Sequence, residues 1–418
     1  MMAALWNTLW NTLAVALPML MLAQFLRGRS VGHGSVLLFG LVVYVVLPFA
    51  AYGSGLYEGG PGEAVWARSF EGLYARSGPA LALTLACLLA YALGTLLPLP
   101  RVRQPLDRPL RSGLLAAVLL GLGALWVFYI VQARELLFSG YLLDYRPDLM
   151  GPLASINLAL LLLVLNLWQW RHSPRLLWAA GVLLALNSVA LLSMGGRLYV
   201  AAVLVGLMLM ALNLPAGRRP AARLKALAGL VLVAGLLALV GLLRVDMDVN
   251  LAALGRLLLA EPLLTSISLG TLMDCSLVDW LALPRNFLSS IVNFVPSGLL
   301  PGKEALMVEL DPSGNCLASP FGATHLGAAL LVNFGILGLL PVVTAFAVLM
   351  RLVQRHVGPW LYCYLCSLLP FMLFRDGFLI FNKAFFATGL LLALLLLGLS
   401  RRQRRRRVAG PAMAPGLL

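Results

Sequence analysis

The sequence predicts an all-α, polytopic membrane protein of about eleven transmembrane helices with one large helical external loop. Three observations carry this. Of 418 residues, 61% are hydrophobic and 11% charged, whereas a soluble domain carries roughly 25% charged residues. Mean hydropathy is +0.93. The apolar residues fall in continuous runs close to the ~20 residues that cross a bilayer core. Barrel strands would instead alternate and stop after ~10 residues.

The first run, 9–26, follows a stretch without basic residues and precedes no small-residue cleavage site, so it is expected to stay in the protein. Runs 35–54, 79–98, 113–133, 152–170, 176–193, 198–214 and 226–243 follow. Residues 1–243 thus hold eight spans, 244–325 form the longest loop, 326–350, 359–374 and 384–400 give three more spans, and 401–418 is a basic tail. There is no separate soluble domain and no clear internal repeat.

A loop of this length is not expected to be structureless. In Leu251–Ile267, leucines recur at helical spacing with Arg256 and Glu261 between them, which reads as an amphipathic or interfacial helix. Phe287–Phe294 reads as a second short helix lying on or dipping into the bilayer, and Pro296 and Pro301 mark turns. The loop is expected to cap the spans over a cavity.

Charge orients the chain. One set of loops carries 20 basic residues and a single acid, Asp107; the opposite set carries 11 basic residues and 15 acids. The bias of lysine and arginine toward cytoplasmic loops puts the second set outside, with the N-terminus outside and the C-terminus inside. The net charge of +15 is therefore a topology signal and not a nucleic-acid footprint. The tail 401–407 is suited to anionic headgroups of membrane lipid. Cys363 and Cys366 have redox-motif spacing but lie in an apolar run, where packing is the simpler role. Cys275 and Cys316 share the external loop and would pair in an oxidising compartment.

Basic residues at external span ends run against the orientation bias and are the candidate site. Arg197 lies in the tight link after 176–193, Arg244 where 226–243 ends, and Arg375, Asp376 and Lys383 in the link before the last span. Arg256 and Arg285 are weaker candidates. Several guanidinium forks around one cavity suit a phosphate; the opposing reading is that each arginine snorkels to headgroups or pairs with an acid. His325, the one external histidine, suits a general base or, when protonated, a diphosphate ligand. Asp246 and Asp248 form a D-x-D pattern, but two carboxylates do not complete a metal site, and no metal is expected. No P-loop, G-x-S-x-G or zinc pattern occurs, so no cofactor is expected and the energy for any reaction must arrive with the substrate.

The chain resembles the O-antigen polymerase family, within the wider group that includes O-antigen ligases. The resemblance covers the topology of many spans with a dominant external loop in the C-terminal half. Locally it rests on Ser193–Arg197 (SMGGR), on Asn333–Gly338 (NFGILG), on Phe374–Gly377 (FRDG) followed by Asn382 and Lys383, and on the placing of His325. Arg244 and Gly255 also fit an Arg-x10-Gly pattern of such polymerases, as do three arginines on the cytoplasmic side, so only its external location singles Arg244 out.

The resemblance implies a glycosyltransferase-C-like membrane fold in a bacterial inner membrane. It implies a metal-independent polymerase of undecaprenyl-pyrophosphate-linked oligosaccharide repeat units, with the lipid pyrophosphate as leaving group and a chain-length regulator as partner. On that reading Arg197, Arg244 and Arg375 bind pyrophosphate, Lys383, Arg285 and Arg256 assist, and Asp376 or His325 orients or deprotonates the acceptor hydroxyl. An O-antigen ligase, with the same chemistry on another acceptor, and a lipid-linked-oligosaccharide transporter are the alternatives.

Overall fold

The computed structural model describes residues 2–27, 31–55, 71–72, 74–99, 109–138, 147–171, 173–214, 221–229, 231–232, 235, 251–273, 275, 278–295, 299–311, 314, 316–317 and 323–408. Eleven longer helices are named in chain order: α1 (Met2–Leu26), α2 (His33–Gly53), α3 (Ser77–Leu96), α4 (Ser112–Ala133), α5 (Pro147–Gln169), α6 (Pro174–Ser193), α7 (Arg197–Asn213), α8 (Leu251–Met273), α9 (Leu326–His356), α10 (Pro359–Leu373) and α11 (Gly377–Ser400).

Among the described residues, eight helices are long and apolar enough to cross a membrane: α1 to α6, α9 and α11. The chain is a multi-pass membrane protein by that measure. Helices α7 and α10 match the expected runs 198–214 and 359–374 but fall short of full spanning length. The expected span 226–243 lies largely outside the described residues. Helix α8 continues past the expected Ile267 to Met273, and Phe287–Phe294 is an α-turn, Arg285–Ser289, followed by a 3-10 turn, Ser290–Phe294.

Helix α5 is the axis of the bundle: 78% of its spanning window is buried, against 6% for α1 and 11% for α4, which turn their apolar faces outward. A helix that is apolar all round can be core or lipid-facing; here the polar side chains decide. Asn157 on α5 accepts from Asn187 (3.1 Å) and Ser188 (3.2 Å) on α6, and Asn187 also donates to the Leu153 carbonyl. Such pairs hold neighbouring helices in register where water cannot compete.

Helices α3 and α9 run parallel. Thr344 donates to the Ala90 carbonyl (3.0 Å), Arg351 to Gly94 (3.0 Å) and Arg355 to Leu99 (3.1 Å). Three spans depart from regular helix. Residues Val42–Val46 of α2, Leu369–Leu373 of α10 and Lys383–Leu391 of α11 are π-helical. A π-turn frees a carbonyl from its ordinary partner and is common at functional sites.

Helix α9 is broken at Gly335, where φ is +71°. Asp279, Trp280 and Leu281 lie against the break so closely that a Cβ on Gly335 would meet their backbone atoms at 2.8 Å. The segment bonds into it: Ile336 N–H donates to the Asp279 carbonyl (3.1 Å) and Leu337 N–H to Trp280 (3.0 Å). Asn333 then ties the next turn down, its Oδ1 accepting from the Phe287 N–H at 2.8 Å. The Asn-Phe-Gly sequence thus has a physical meaning: an anchor, a packing ring and a break. Phe334 contacts both Phe287 and Phe378.

Cys275 and Cys316 form a disulfide. It joins the end of α8 to the segment leading into α9, while Cys363 and Cys366 are buried free thiols.

Candidate functional site

The strongest cluster forms where the α10–α11 link meets α8 and the start of α9. The link Phe374–Gly377 turns sharply because Gly377 adopts φ +63°. Its backbone pairs with the strand-like approach to α9: Thr324 N–H donates to the Arg375 carbonyl at 2.7 Å, and Thr324 bridges Asp376. His325 follows, and its own N–H donates to Ser268 Oγ of α8 at 2.9 Å. Three chain segments distant in sequence are thereby fixed around Arg375.

The Arg375 guanidinium carries two carboxylate partners. It donates through Nη1 to Asp376 Oδ1 at 2.5 Å, and its Nε meets Glu261 of α8 as an ion pair without hydrogen-bond alignment. The two acids differ in accessibility: the Asp376 side chain is 4% exposed and that of Glu261 39%. Burial opposes charge on Arg375, but Asp376 and Glu261 together outweigh it and raise its pKa further. Burial pushes Asp376 above the usual carboxylate value, Arg375 pulls it back, and Glu261 adds to the rise. Arg375 and Asp376 therefore form the more buried pair, and Glu261 is the more accessible partner.

His325 is 4% exposed and caps α9, its Nδ1 accepting from the Gly327 N–H at 3.0 Å. An Nδ1 that accepts must be unprotonated, which puts the ring proton on Nε2. Burial lowers the pKa to about 4, opposed by the ring's hydrogen bond to the Tyr44 carbonyl. That carbonyl lies in the π-turn of α2 and also accepts from Ser266 Oγ at 3.0 Å. The imidazole is neutral at physiological pH, with both nitrogens engaged. Diphosphate binding by a protonated ring, one of the two roles expected of it, is unfavourable in this position, and proton abstraction requires the ring to leave the cap.

Below the cluster lies an apolar cavity of about 330 Å³, walled by α2, α3, α9 and α11, with Phe287 from the loop. His325, Phe374 and Asn382 line it near the charged cluster, and Tyr91 lines it deeper in the bundle. The Tyr91 hydroxyl is buried and has no hydrogen-bond partner among the described residues. Phe374 stacks on Tyr44 at 6.1 Å, so the wall of the cavity and the floor of the cluster share a residue.

The expected convergence of Arg197, Arg244 and Arg375 involves Arg244, which lies outside the described residues. Arg197 opens α7 behind Gly196. Arg244 and the Asp246–Asp248 pair lie outside the described residues, and for Arg256 only the helical backbone is described. Arg285 starts its α-turn on the exposed surface. Lys383 opens the π-segment of α11, within electrostatic reach of Lys303. Lys303 is buried and donates to Asn293 (3.3 Å) and the Val295 carbonyl (3.1 Å). The site brings together Arg375 and Asp376, both expected as site residues though not as an ion pair, and adds Glu261, Thr324 and Ser268, which were not expected. Of these, Glu261 had a signal: it is the one acid in the sequence of α8.

Among the described residues no three His, Cys, Asp or Glu side chains gather as metal ligands. The chain matches no known protein family, no curated protein and no solved structure.

Proposed function

We propose that the protein is a polymerase of undecaprenyl-pyrophosphate-linked oligosaccharide repeat units, acting at the periplasmic face of a bacterial inner membrane. One observation carries the reading: the Arg375–Asp376 pair, with Glu261 as a more accessible second acid on Arg375, adjoins an apolar cavity. A polyprenyl diphosphate has this combination of needs, an anionic head at the membrane surface and a hydrocarbon chain beneath it. The topology argument supports the periplasmic side, and the Cys275–Cys316 disulfide suits an oxidising compartment.

In the proposed reaction the diphosphate takes the place of Glu261 on the Arg375 guanidinium. An acceptor sugar hydroxyl attacks the anomeric carbon of the lipid-linked chain. The new C–O bond forms as the bond to the pyrophosphate breaks, and the electron pair leaves with the lipid pyrophosphate. The hydroxyl proton goes to Asp376, whose raised pKa makes it a better base than a solvated carboxylate. Arg375 stabilises the charge developing on the leaving group, an electrostatic contribution that is large in a dry site. His325 positions the start of α9 beside the pair. Arg244, Arg197 and Lys383 are assigned to the rest of the lipid-linked substrate.

The test is the lipopolysaccharide ladder of a strain carrying Arg375→Ala. The expected result is loss of long glycan chains, single repeats still attached to core, and the protein retained in the membrane. Normal chain lengths would overturn the proposal. Loss of all repeats, single ones included, would instead assign the ligase reaction.

A further inference from the structure

The segment Trp280–Ile291 packs against α9 around Asn333–Gly338 and presents an apolar outer face. Trp280 is 71% exposed, Leu281 72% and Leu283 74%, and Leu288 and Ile291 are more than half exposed. In water a contiguous apolar surface of this kind marks a contact face. Here it continues directly into the outer face of a span. Leu337 of α9 is 60% exposed and bonds to Trp280, and Leu281 Cδ1 lies 3.7 Å from the Cβ position of Gly338.

Depth can be read along α9. Arg351 and Arg355 mark one polar end of the helix. From Arg351 back to Gly335 the rise is roughly 24 Å at 1.5 Å per residue, against a hydrocarbon core of about 30 Å. The parallel neighbour agrees. Thr344 is level with Ala90, so Gly335 is level with Leu81, roughly 6 Å inside the start of α3. Gly335 and the segment bonded to it therefore lie below the surface at the end opposite Arg351.

Irregular backbone survives at that depth only when its polar groups are paired. At the break itself the segment and α9 pair through their backbones. Ile336 and Leu337 donate to Asp279 and Trp280, and Ala282 N–H donates to the Phe334 carbonyl at 3.4 Å. Arg285, exposed three residues further on, has a side chain long enough to reach headgroups.

We propose that the Trp280–Ile291 segment is embedded in the hydrocarbon of one bilayer leaflet, its Trp280, Leu281, Leu283, Leu288 and Ile291 side chains against acyl chains. This is an interaction surface for lipid, not for a protein partner. Because Phe287 of the same segment also walls the apolar cavity, the cavity is bounded there by a wall standing in lipid, and a lipid ligand can approach it without crossing water.

The test uses the full chain reconstituted alone in vesicles of phosphatidylethanolamine and phosphatidylglycerol. A nitroxide is attached at Leu281→Cys, with Leu340→Cys as the lipid-facing reference and Glu309→Cys as the aqueous one, and the signal of the labelled parent chain is subtracted. All three positions are exposed, so labelling leaves the core intact. The expected result is strong relaxation by oxygen at 281, as at 340, with loss of the access to a water-soluble nickel chelate that 309 shows. Nickel access at 281 equal to that at 309 would overturn the proposal. So would shielding from both reagents, which would mean that a second copy of the chain covers the face.

Discussion

Replacing Arg375 by alanine leaves the Asp376 carboxylate nearly buried, at 4% exposure, with its cation gone. Breaking a buried pair from one side costs about 3–5 kcal/mol. The lower end applies here, because Arg375 is one-fifth exposed and because Asp376 can escape by taking a proton. Its pKa, already raised by burial, rises further without Arg375. A carboxyl whose folded pKa lies above its unfolded value binds more protons folded than unfolded, so its penalty grows with pH across that window. Arg375→Ala is therefore expected to lose about 3 kcal/mol near neutral pH and to recover part of it on acidification. Arg375→Ala with Asp376→Asn removes the orphaned charge and is expected to regain most of the stability while remaining inactive. Thermal unfolding in detergent across pH 5 to pH 8 reads both effects. A single variant as stable as the parent, or a double variant no better than the single, would refute the buried-pair reasoning.

Two further outcomes follow from the same geometry. Gly335→Ala forces a Cβ into backbone atoms 2.8 Å away and into φ +71°; strain and overpacking together are expected to cost about 2–5 kcal/mol, visible as a lowered unfolding midpoint, and a neutral effect would contradict the break. His325 is held neutral with a pKa near 4, so the unfolded chain binds the extra proton and stability falls as pH drops from about 6.5 to 4, by about 3 kcal/mol in all. His325→Gln keeps a cap acceptor and is expected to flatten that pH dependence; an unchanged profile would reassign it to another group.

Most of the spans could be read from the sequence because a bilayer imposes a length and a continuity that no other environment does. The short helices α7 and α10 were visible as apolar runs for the same reason. What was not read was where helices depart from regularity. The π-turn in α2 was not read, although Pro48, four residues after Tyr44, has no N–H to give the Tyr44 carbonyl. Asn333, Phe334 and Gly335 stood out as a motif, but the reason for it lies in Asp279–Ala282, more than fifty residues earlier in the chain. The same holds for the site. Arg375 and Asp376 are neighbours in sequence, so their pairing was accessible, whereas Glu261 reaches them only through the packing of α8. Arg197 shared with Arg375 an unusual place at a span end, but position along the membrane normal says nothing about lateral position. What the described residues show is an arginine held between two acids.

The proposed action of Arg375 and Asp376 on a lipid pyrophosphate leaving group is read by the purified chain in vesicles with an undecaprenyl-pyrophosphate-linked repeat unit, with neither nucleotide nor added metal. The expected result is glycan elongation with release of one undecaprenyl pyrophosphate for each unit joined. Arg375→Lys, which keeps the charge facing Asp376 but loses the guanidinium fork, should fold normally and release far less. No release by the parent chain, or undiminished release by Arg375→Lys, would contradict the account.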